Sequence, residues 1–329
     1  MHRRLHLLGG ALALIAAASC SKMSSNTVGS TIDIDGSSTV VLISEAVVLE
    51  YRQSRPDVDL KVGVSGTGGG FERFCVGETE ISNASRPIKQ SELARAAENG
   101  IDFIELPIAF DGLTFAVHKD NTWADSLTVE EIRHIFRSED PATTWADVRD
   151  GWPAEEIDLY TPAKSSGTLD FFLEVVFPDK TPMRADVAEA EDDHILVRGI
   201  TGSRNALGFF GYAYYAANRD RIRSVPIDDG TGAIAPSVEA IADGSYRPFS
   251  RPLFIYVNLE SAEREDVRSF VTYYLDNAQR LSEKVGYVGL PDALMDVSRD
   301  LFENQSTGTV WLDETGEHLH DPLPSVYGL

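Results

Sequence analysis

Residues 32–43 read Ile32-Asp33-Ile34-Asp35-Gly36-Ser37-Ser38-Thr39-Val40-Val41-Leu42-Ile43. Ile32 to Ile34 predicts a short strand, Gly36-Ser37-Ser38 leads into a helix, and the apolar periodicity of Val40, Val41, Ala46, Val47 and Tyr51 carries that helix over roughly 39–53. Leu60 to Val64 returns as a strand and runs into Ser65-Gly66-Thr67-Gly68-Gly69-Gly70, followed by a short helix around 71–76. Strand, loop, helix, strand is the signature of an α/β fold.

Further along, residues 80–84 read as a strand and 91–100 as a helix, with Ser91 as its N-cap and Gly100 as its stop. Residues 103–119 form a nearly continuous β stretch that could cross between two lobes. A helix is expected at 129–137 and a strand at 157–160, after which Lys164-Ser165-Ser166-Gly167-Thr168 opens an apolar helix to Phe177. Leu253 to Asn258 reads as a return crossing, and a helix over about 262–277, with Ser261 as its N-cap, completes the first lobe. The expected architecture is two α/β lobes, residues 32–111 with 253–329 and residues 112–252, whose chain crosses at least twice.

The 329 residues carry 29 Lys and Arg against 52 Asp and Glu, a net charge of −23. A hydrophobic content of 43% suffices for a packed core, so the acidity describes the surface rather than disorder. Nucleic acid is not an expected partner, because phosphate-backbone binding needs clustered Lys and Arg. Such acidity is found in salt-loving organisms and also in acidic mesophile proteins. Any anion site in this chain must work against the global field with local dipoles.

The first residues follow a signal-peptide pattern: His2, Arg3 and Arg4, an apolar run from Leu5 to Ala18, then Ser19 and Cys20. The run is shorter than the ~20 residues a spanning helix needs. Residues 1–19 are therefore expected to be removed on export, taking the net charge from −23 to −25 with the loss of Arg3 and Arg4, and 20–31 to act as a flexible tether. Ala17-Ala18-Ser19-Cys20 resembles a bacterial lipobox, with Ala17 where Leu is usual, which implies a lipidated Cys20. Ordinary signal-peptidase cleavage nearby is the alternative. With Cys20 acylated, Cys75 has no partner within the chain, so neither a disulfide framework nor a cysteine metal site is expected.

Three segments place hydroxyls and glycines where a loop enters a helix: Gly36-Ser37-Ser38-Thr39, Gly66-Thr67-Gly68-Gly69-Gly70 and Ser165-Ser166-Gly167-Thr168. A helix N-terminus offers free N–H groups and the positive dipole end, glycine lets an anion approach the backbone, and Ser or Thr adds a hydroxyl donor. Each segment alone reads as a plain N-cap; three of them at strand ends describe an anion cage. A nucleotide reading fails, because no Gly-Lys-Ser/Thr order opens a helix and the third glycine position counted from Gly66 is Phe71. Ser85-Arg86-Pro87 follows a strand and supplies a guanidinium able to grip an oxyanion with two parallel bonds, or to pair with a carboxylate. His118, His134, His194, His318 and His320 form no HExxH motif and no Gly-x-Ser-x-Gly elbow is present, so catalytic residues, metals and cofactors are not expected.

The chain from the tether onward resembles the phosphate-binding proteins of the Pst-type ABC importer, in particular their cyanobacterial SphX-like branch. The resemblance rests on Asp35-Gly36-Ser37-Ser38-Thr39-Val40, residues 66–71, Ile81-Ser82-Asn83-Ala84-Ser85-Arg86-Pro87-Ile88, Asp111-Gly112-Leu113-Thr114, Ser166-Gly167-Thr168, residues 205–212 and Ser250-Arg251-Pro252-Leu253. It implies a type II periplasmic-binding-protein fold closing on inorganic phosphate, with Ser38 and Thr39, Thr67 and Gly68, and Ser166, Gly167 and Thr168 as the three phosphate loops. In the enterobacterial pattern an arginine stands where this chain has Pro162, and an aspartate stands in the loop that here reads Ser85-Arg86-Pro87; Arg86 could replace the missing cation. A fixed carboxylate acceptor distinguishes phosphate, which keeps a proton, from sulfate. Asp35, Glu72, Asp111 and Asp170 are candidates for it. Relatives also often carry a second cysteine within 94–100 that could pair at the Cys75 position, which implies a disulfide lost here.

The expected function is thus capture of phosphate in a closing cleft and its presentation to ABC permease subunits, by a monomer held at a bacterial cell surface or in the periplasm through a lipid anchor. The alternatives are a binding protein for sulfate or arsenate, a sensor of anion occupancy, and a phosphatase-like enzyme.

Overall fold

The computed structural model describes residues 31–329 except 165, 191, 314, 317, 318 and 320. The expected signal peptide, the tether up to residue 30 with Cys20, and Ser165, His318 and His320 lie outside the described residues. The chain begins β1 (Thr31–Gly36), α1 (Ser38–Ser54), β2 (Asp59–Val62), α2 (Gly66–Phe74), β3 (Ile81–Ala84), α3 (Gln90–Glu98) and the long β4 (Phe103–His118). A second stretch comprises β5 (Leu127–Thr128), α4 (Val129–Phe136), α5 (Trp145–Val148), β6 (Asp158–Pro162), α6 (Gly167–Val176), β7 (Ala188–Ala190), α7 (Asp193–Gly202), β8 (Ala206–Gly211) and α8 (Tyr212–Asn218). It continues through β9 (Ile222–Ser224), β10 (Ile227–Asp228), β11 (Ala233–Ile234) and α9 (Val238–Ala242) to β12 (Ser250–Asn258). The chain closes with α10 (Leu259–Ala262), α11 (Glu265–Lys284), β13 (Val288–Gly289), α12 (Asp292–Glu303) and α13 (Leu323–Val326).

The main sheet runs β2-β1-β3-β12-β4-β8-β6-β7, with β9 and β13 also pairing β4, while β11, β10 and β5 form a small separate sheet. Strand β4 organises the molecule. Its residues Phe103 to Val117 are all buried, as expected of an apolar run covered on both faces. It pairs antiparallel with β12 from Phe103 to Gly112, and with β8 from Leu113 to Val117. One strand therefore serves both halves of the sheet. Pro107 has no N–H to give the ladder, and the register against β12 shifts beside it, between Leu253 and Phe254.

Three helices differ from the sequence reading. Helix α2 starts at Gly66, not near Phe71, so the glycine run is its first turns. A Cβ on Gly70 would lie 2.6 Å from the Gly36 Cα, so glycine is what lets α2 lie against the end of β1. Helix α3 starts at Gln90, one residue before the expected cap, because the Glu92 carboxylate accepts from the Lys89 N–H at 2.8 Å; Ser91 sits inside the first turn. The helix expected over 262–277 is two, α10 capped by Asn258 and α11 running on to Lys284. At the break, Arg264 pairs with Asp266 and Glu80 and donates to the Thr31 carbonyl.

Each half has an aromatic centre. Phe71, Phe74 and Phe103 pack around Tyr256 in one, and Phe115, Phe136, Phe172 and Phe209 meet in the other, with Phe172 and Phe209 stacked at 4.3 Å. Cys75 is buried and its Sγ donates to the Glu92 carbonyl at 3.3 Å. Burial pushes its thiol up to about 11.

Glu105 of β4 ties the C-terminal segment down. Its Oε2 accepts from the Tyr256 hydroxyl at 2.6 Å and the Thr309 hydroxyl at 2.8 Å, and the Gly308 N–H donates to the Phe103 carbonyl. Burial pushes the Glu105 carboxyl up to about 7 from 4.5, against the pull of those hydroxyls. Between these two values the folded chain keeps a proton that the unfolded chain releases, so this contribution is full below pH 4.5 and is lost as pH rises through 7. In urea unfolding, wild type is expected to lose about 3 kcal/mol more than Glu105→Gln between pH 4 and pH 8; parallel profiles would contradict the assignment.

Candidate anion-binding cleft

The parallel pairing of β1 with β2 and β3 sets their carboxyl ends side by side, so α1, α2 and the Ser85 loop all start at one edge. Ser37 caps α1 by accepting from the N–H groups of Thr39 and Val40. Helix α2 has no side-chain cap at Ser65, which leaves its first N–H groups open to another acceptor. From the second half, α6 points its N-terminus at α1, with Ser166 accepting from the Thr168 N–H at 3.2 Å.

These ends meet in a cavity of about 250 Å³ lined by Ser38, Thr39, Thr67, Ser85, Asp170, Glu174 and Arg251 among others. Ser166, Gly167 and Thr168 line an adjoining chamber of about 690 Å³ that shares Ser38. Of the residues expected from sequence, the structure thus gathers Ser38, Thr39, Thr67 and Ser85 in one cavity and sets Ser166, Gly167 and Thr168 beside it. Gly68 lines neither; it is exposed on the first turn of α2.

Bonds cross directly between the two sides. The Thr39 hydroxyl donates to the Gly167 carbonyl at 3.3 Å, and the Ser38 hydroxyl donates to Asp170 Oδ2 at 2.8 Å. A Cβ on Gly167 would lie 2.6 Å from the Thr39 backbone nitrogen, so this close approach requires glycine. Thr67 Oγ1 and Ser85 Oγ are 3.0 Å apart, and the Ser85 N–H donates to Thr67.

Arg86 does not line the cavity. Its guanidinium forms a fork on Glu92, with bonds of 2.8 and 2.7 Å, and lies over the Phe71 ring. Glu92, six residues on at the first turn of α3, pairs with it, so the guanidinium offered in sequence as a replacement cation is engaged away from the cavity lining in this structure. Arg251, on strand β12, is the cation among the described lining residues. Its Nη2 donates to Thr39 Oγ1 at 3.0 Å, Nη1 to Glu174 at 2.9 Å and Nε to Asp111 at 3.3 Å, and its guanidinium sits 3.8 Å above the Phe171 ring. Asp111 is fully buried; burial raises its carboxyl above the ordinary range while the Arg251 charge pulls it back.

Sequence reading missed Arg251 and Glu174 as site residues. The first stands within the Ser250-Arg251-Pro252 motif, and the second lies four residues after Asp170, hence on the same face of α6. Of the other carboxylates considered, Asp35 is paired with Arg73, and Glu72 is exposed on α2. Among the described residues no group of His, Cys, Asp and Glu could hold a metal ion, and no helix is long and apolar enough to cross a membrane.

A family model described as a PBP superfamily domain matches residues 21–278. The protein SphX of Synechococcus elongatus is 42% identical over 294 residues, 88% of this chain and 87% of that protein. The phosphate-binding protein PstS of Staphylococcus saprophyticus is 39% identical, over 83% of this chain and 82% of its own length. A crystal structure of a possible phosphate-binding protein from Planctomyces limnophilus superposes with a TM-score of 0.81 at 38% identity, covering 85% of this chain and all of that one. An ABC-type phosphate transport receptor from Vibrio cholerae, 23% identical with a TM-score of 0.62 over 79% of this chain and all of its own, shares the fold. The chain belongs to the PBP superfamily and, within it, to the family of SphX and PstS, with their two-lobed type II periplasmic-binding-protein fold.

Proposed function

We propose that the chain is an extracytoplasmic substrate-binding protein that captures inorganic phosphate between two lobes and delivers it to an ABC permease. The observation that carries the reading is the convergence of hydroxyls and helix N-termini from α1, α2 and α6 on one cleft with Arg251 at its wall. The names of the relatives support phosphate as the anion. In this reading the lobes are 32–111 with 253–329 and 112–252, joined where β4 changes partner from β12 to β8. The phosphate contacts are Ser38, Thr39, Thr67, Ser85, Ser166, Gly167 and Thr168, with Gly68 supplying an α2 backbone N–H and Arg251 the cation. No covalent step is needed, which fits a family of binding proteins rather than enzymes. The monomer is anchored to the membrane through a lipid on Cys20.

Calorimetric titration of the anion-stripped protein with phosphate tests the reading. Arg251→Ala is expected to weaken phosphate binding about 100-fold, as loss of a charge-assisted bond implies. Arg86→Ala should leave affinity within about twofold and lower the unfolding midpoint instead, through its lost pair with Glu92. Equal effects of the two would contradict the assignment of the cation. Gly167→Ala places a methyl against the Thr39 backbone and is expected to weaken phosphate at least about tenfold by holding the lobes apart; unchanged affinity would show that α1 and α6 need not meet.

A further inference from the structure

We propose that the end of the second half remote from the cleft, where Arg198, Arg204, Arg219, Arg221 and Lys119 gather, is a surface that binds the anionic headgroups of a phospholipid bilayer. The inference goes beyond the phosphate reading and takes from it only the extracytoplasmic placement, which brings a lipid leaflet within reach.

The charge pattern is anomalous for this chain. Residues 198–223 carry five arginines and one acid, Asp220, in a protein of net charge −23. Arginines elsewhere pair with carboxylates: Arg55, Arg133, Arg149, Arg184, Arg264 and Arg280 do so at 2.5 to 3.0 Å. Among the described residues, none of the five in 198–223 forms an ion pair. Arg223 is half-buried and donates to the carbonyls of Asn121 and Ala124, both at 2.8 Å, which pins the turn after β4. The other four are exposed, as is Lys119.

Folding gathers these cations. Strand β9 pairs with β4 through Ile222 and His118, which sets Arg221 beside Lys119. Arg204 donates from Nε to the Asp120 carbonyl at 2.8 Å, and its guanidinium lies over the Trp123 ring. Arg221 Nη2 is 3.5 Å from the Thr201 hydroxyl, which itself donates to the Arg198 carbonyl at 3.0 Å. Arg219 is the C-cap of α8, two residues before Arg221. Asp120, Asp158 and Asp220 are the acids of this end, so cations remain in excess.

Uncharged side chains stand open among the arginines. Ile195, one turn before Arg198 on α7, is 54% exposed. Helix α8 reads Tyr-Ala-Tyr-Tyr-Ala-Ala-Asn, without a charge and without a buried residue. Tyrosine and aliphatic side chains beside arginine suit the boundary of a bilayer, where apolar groups enter and guanidinium forks hold phosphodiester oxygens. An acidic protein surface would engage the arginines and leave the uncharged helix without a counterpart. The acidic remainder of the molecule is repelled by the same lipids, so this end is the one turned to them. It lies across β8 from the cleft, since Gly211 at one end lines the larger chamber and Ala206 at the other follows the Arg204 turn.

The test is co-sedimentation of the protein with vesicles of phosphatidylcholine alone and of equal parts phosphatidylcholine and phosphatidylglycerol. The difference between the two is the readout, because an acyl anchor would bind both alike. Wild type is expected to prefer the anionic vesicle at about 0.1 M salt and to lose the preference at about 1 M, where the screening length falls to ~3 Å. Arg219→Gln/Arg221→Gln should cut that preference about 10- to 30-fold. Lys61→Gln/Arg95→Gln, of equal net charge, should keep it within about twofold. All four side chains are exposed, so urea midpoints should coincide with that of wild type. Equal binding of wild type to both vesicles, or equal losses in the two variants, overturns the inference. So does retention on poly-glutamate without a preference between vesicles, which assigns the surface to an acidic protein. None of these outcomes bears on phosphate binding, which is measured separately.

Discussion

The cleft depends on two helices that begin face to face. The first turns of α1 and α6 approach until Thr39 bonds the Gly167 carbonyl and no side chain fits at position 167. Two positive dipole ends so close repel one another unless negative charge lies with them. The structure sets Asp170 on Ser38 and Glu174 on Arg251 at this meeting point. A tetrahedral oxyanion offers the same complement, with oxygens directed to several donors at once. Bringing these two helix ends together and holding an anion between them would therefore draw on the same electrostatics.

The overall charge makes those electrostatics local. At −23 the molecule repels anions at a distance, although salt screens exposed charges beyond ~10 Å at 0.1 M. Attraction must come from groups in contact, namely N–H dipoles, hydroxyls and one guanidinium. Arg251 is fitted for the task because it is pinned on three sides, by the buried Asp111, the Phe171 ring and the Thr39 hydroxyl. Asp111 is costly to bury, and Arg251 offsets part of that cost while gaining a fixed orientation. Both lie on the strands β4 and β12, of which β4 pairs in both halves of the sheet, so the cation sits where the two halves join.

Much of this was legible in the sequence because it is local. The alternation in β1, the cap at Ser37, the apolar run of β4 and the Ser166-Gly167-Thr168 entry to α6 are decided by neighbours within a few residues. The glycine run was misread as loop, since its reason is a contact between Gly70 and Gly36 that comes from folding α2 onto β1. Arg86 was read as a ligand because its loop is at a strand end; the competing carboxylate Glu92 is near in sequence, but the fork geometry that binds it depends on where α3 begins. Arg251 reaches Thr39 from 212 residues away. No periodicity or spacing reports such a meeting, and topology alone creates it.

The most direct test of the account is a crystal structure of the anion-stripped protein after addition of inorganic phosphate. The account predicts one tetrahedral anion between the N-termini of α1, α2 and α6, with oxygens bonded to Ser38, Thr67, Thr168 and Arg251. A phosphate found elsewhere, or bound with Arg251 still held by Glu174 and Thr39 and making no contact to it, would contradict it.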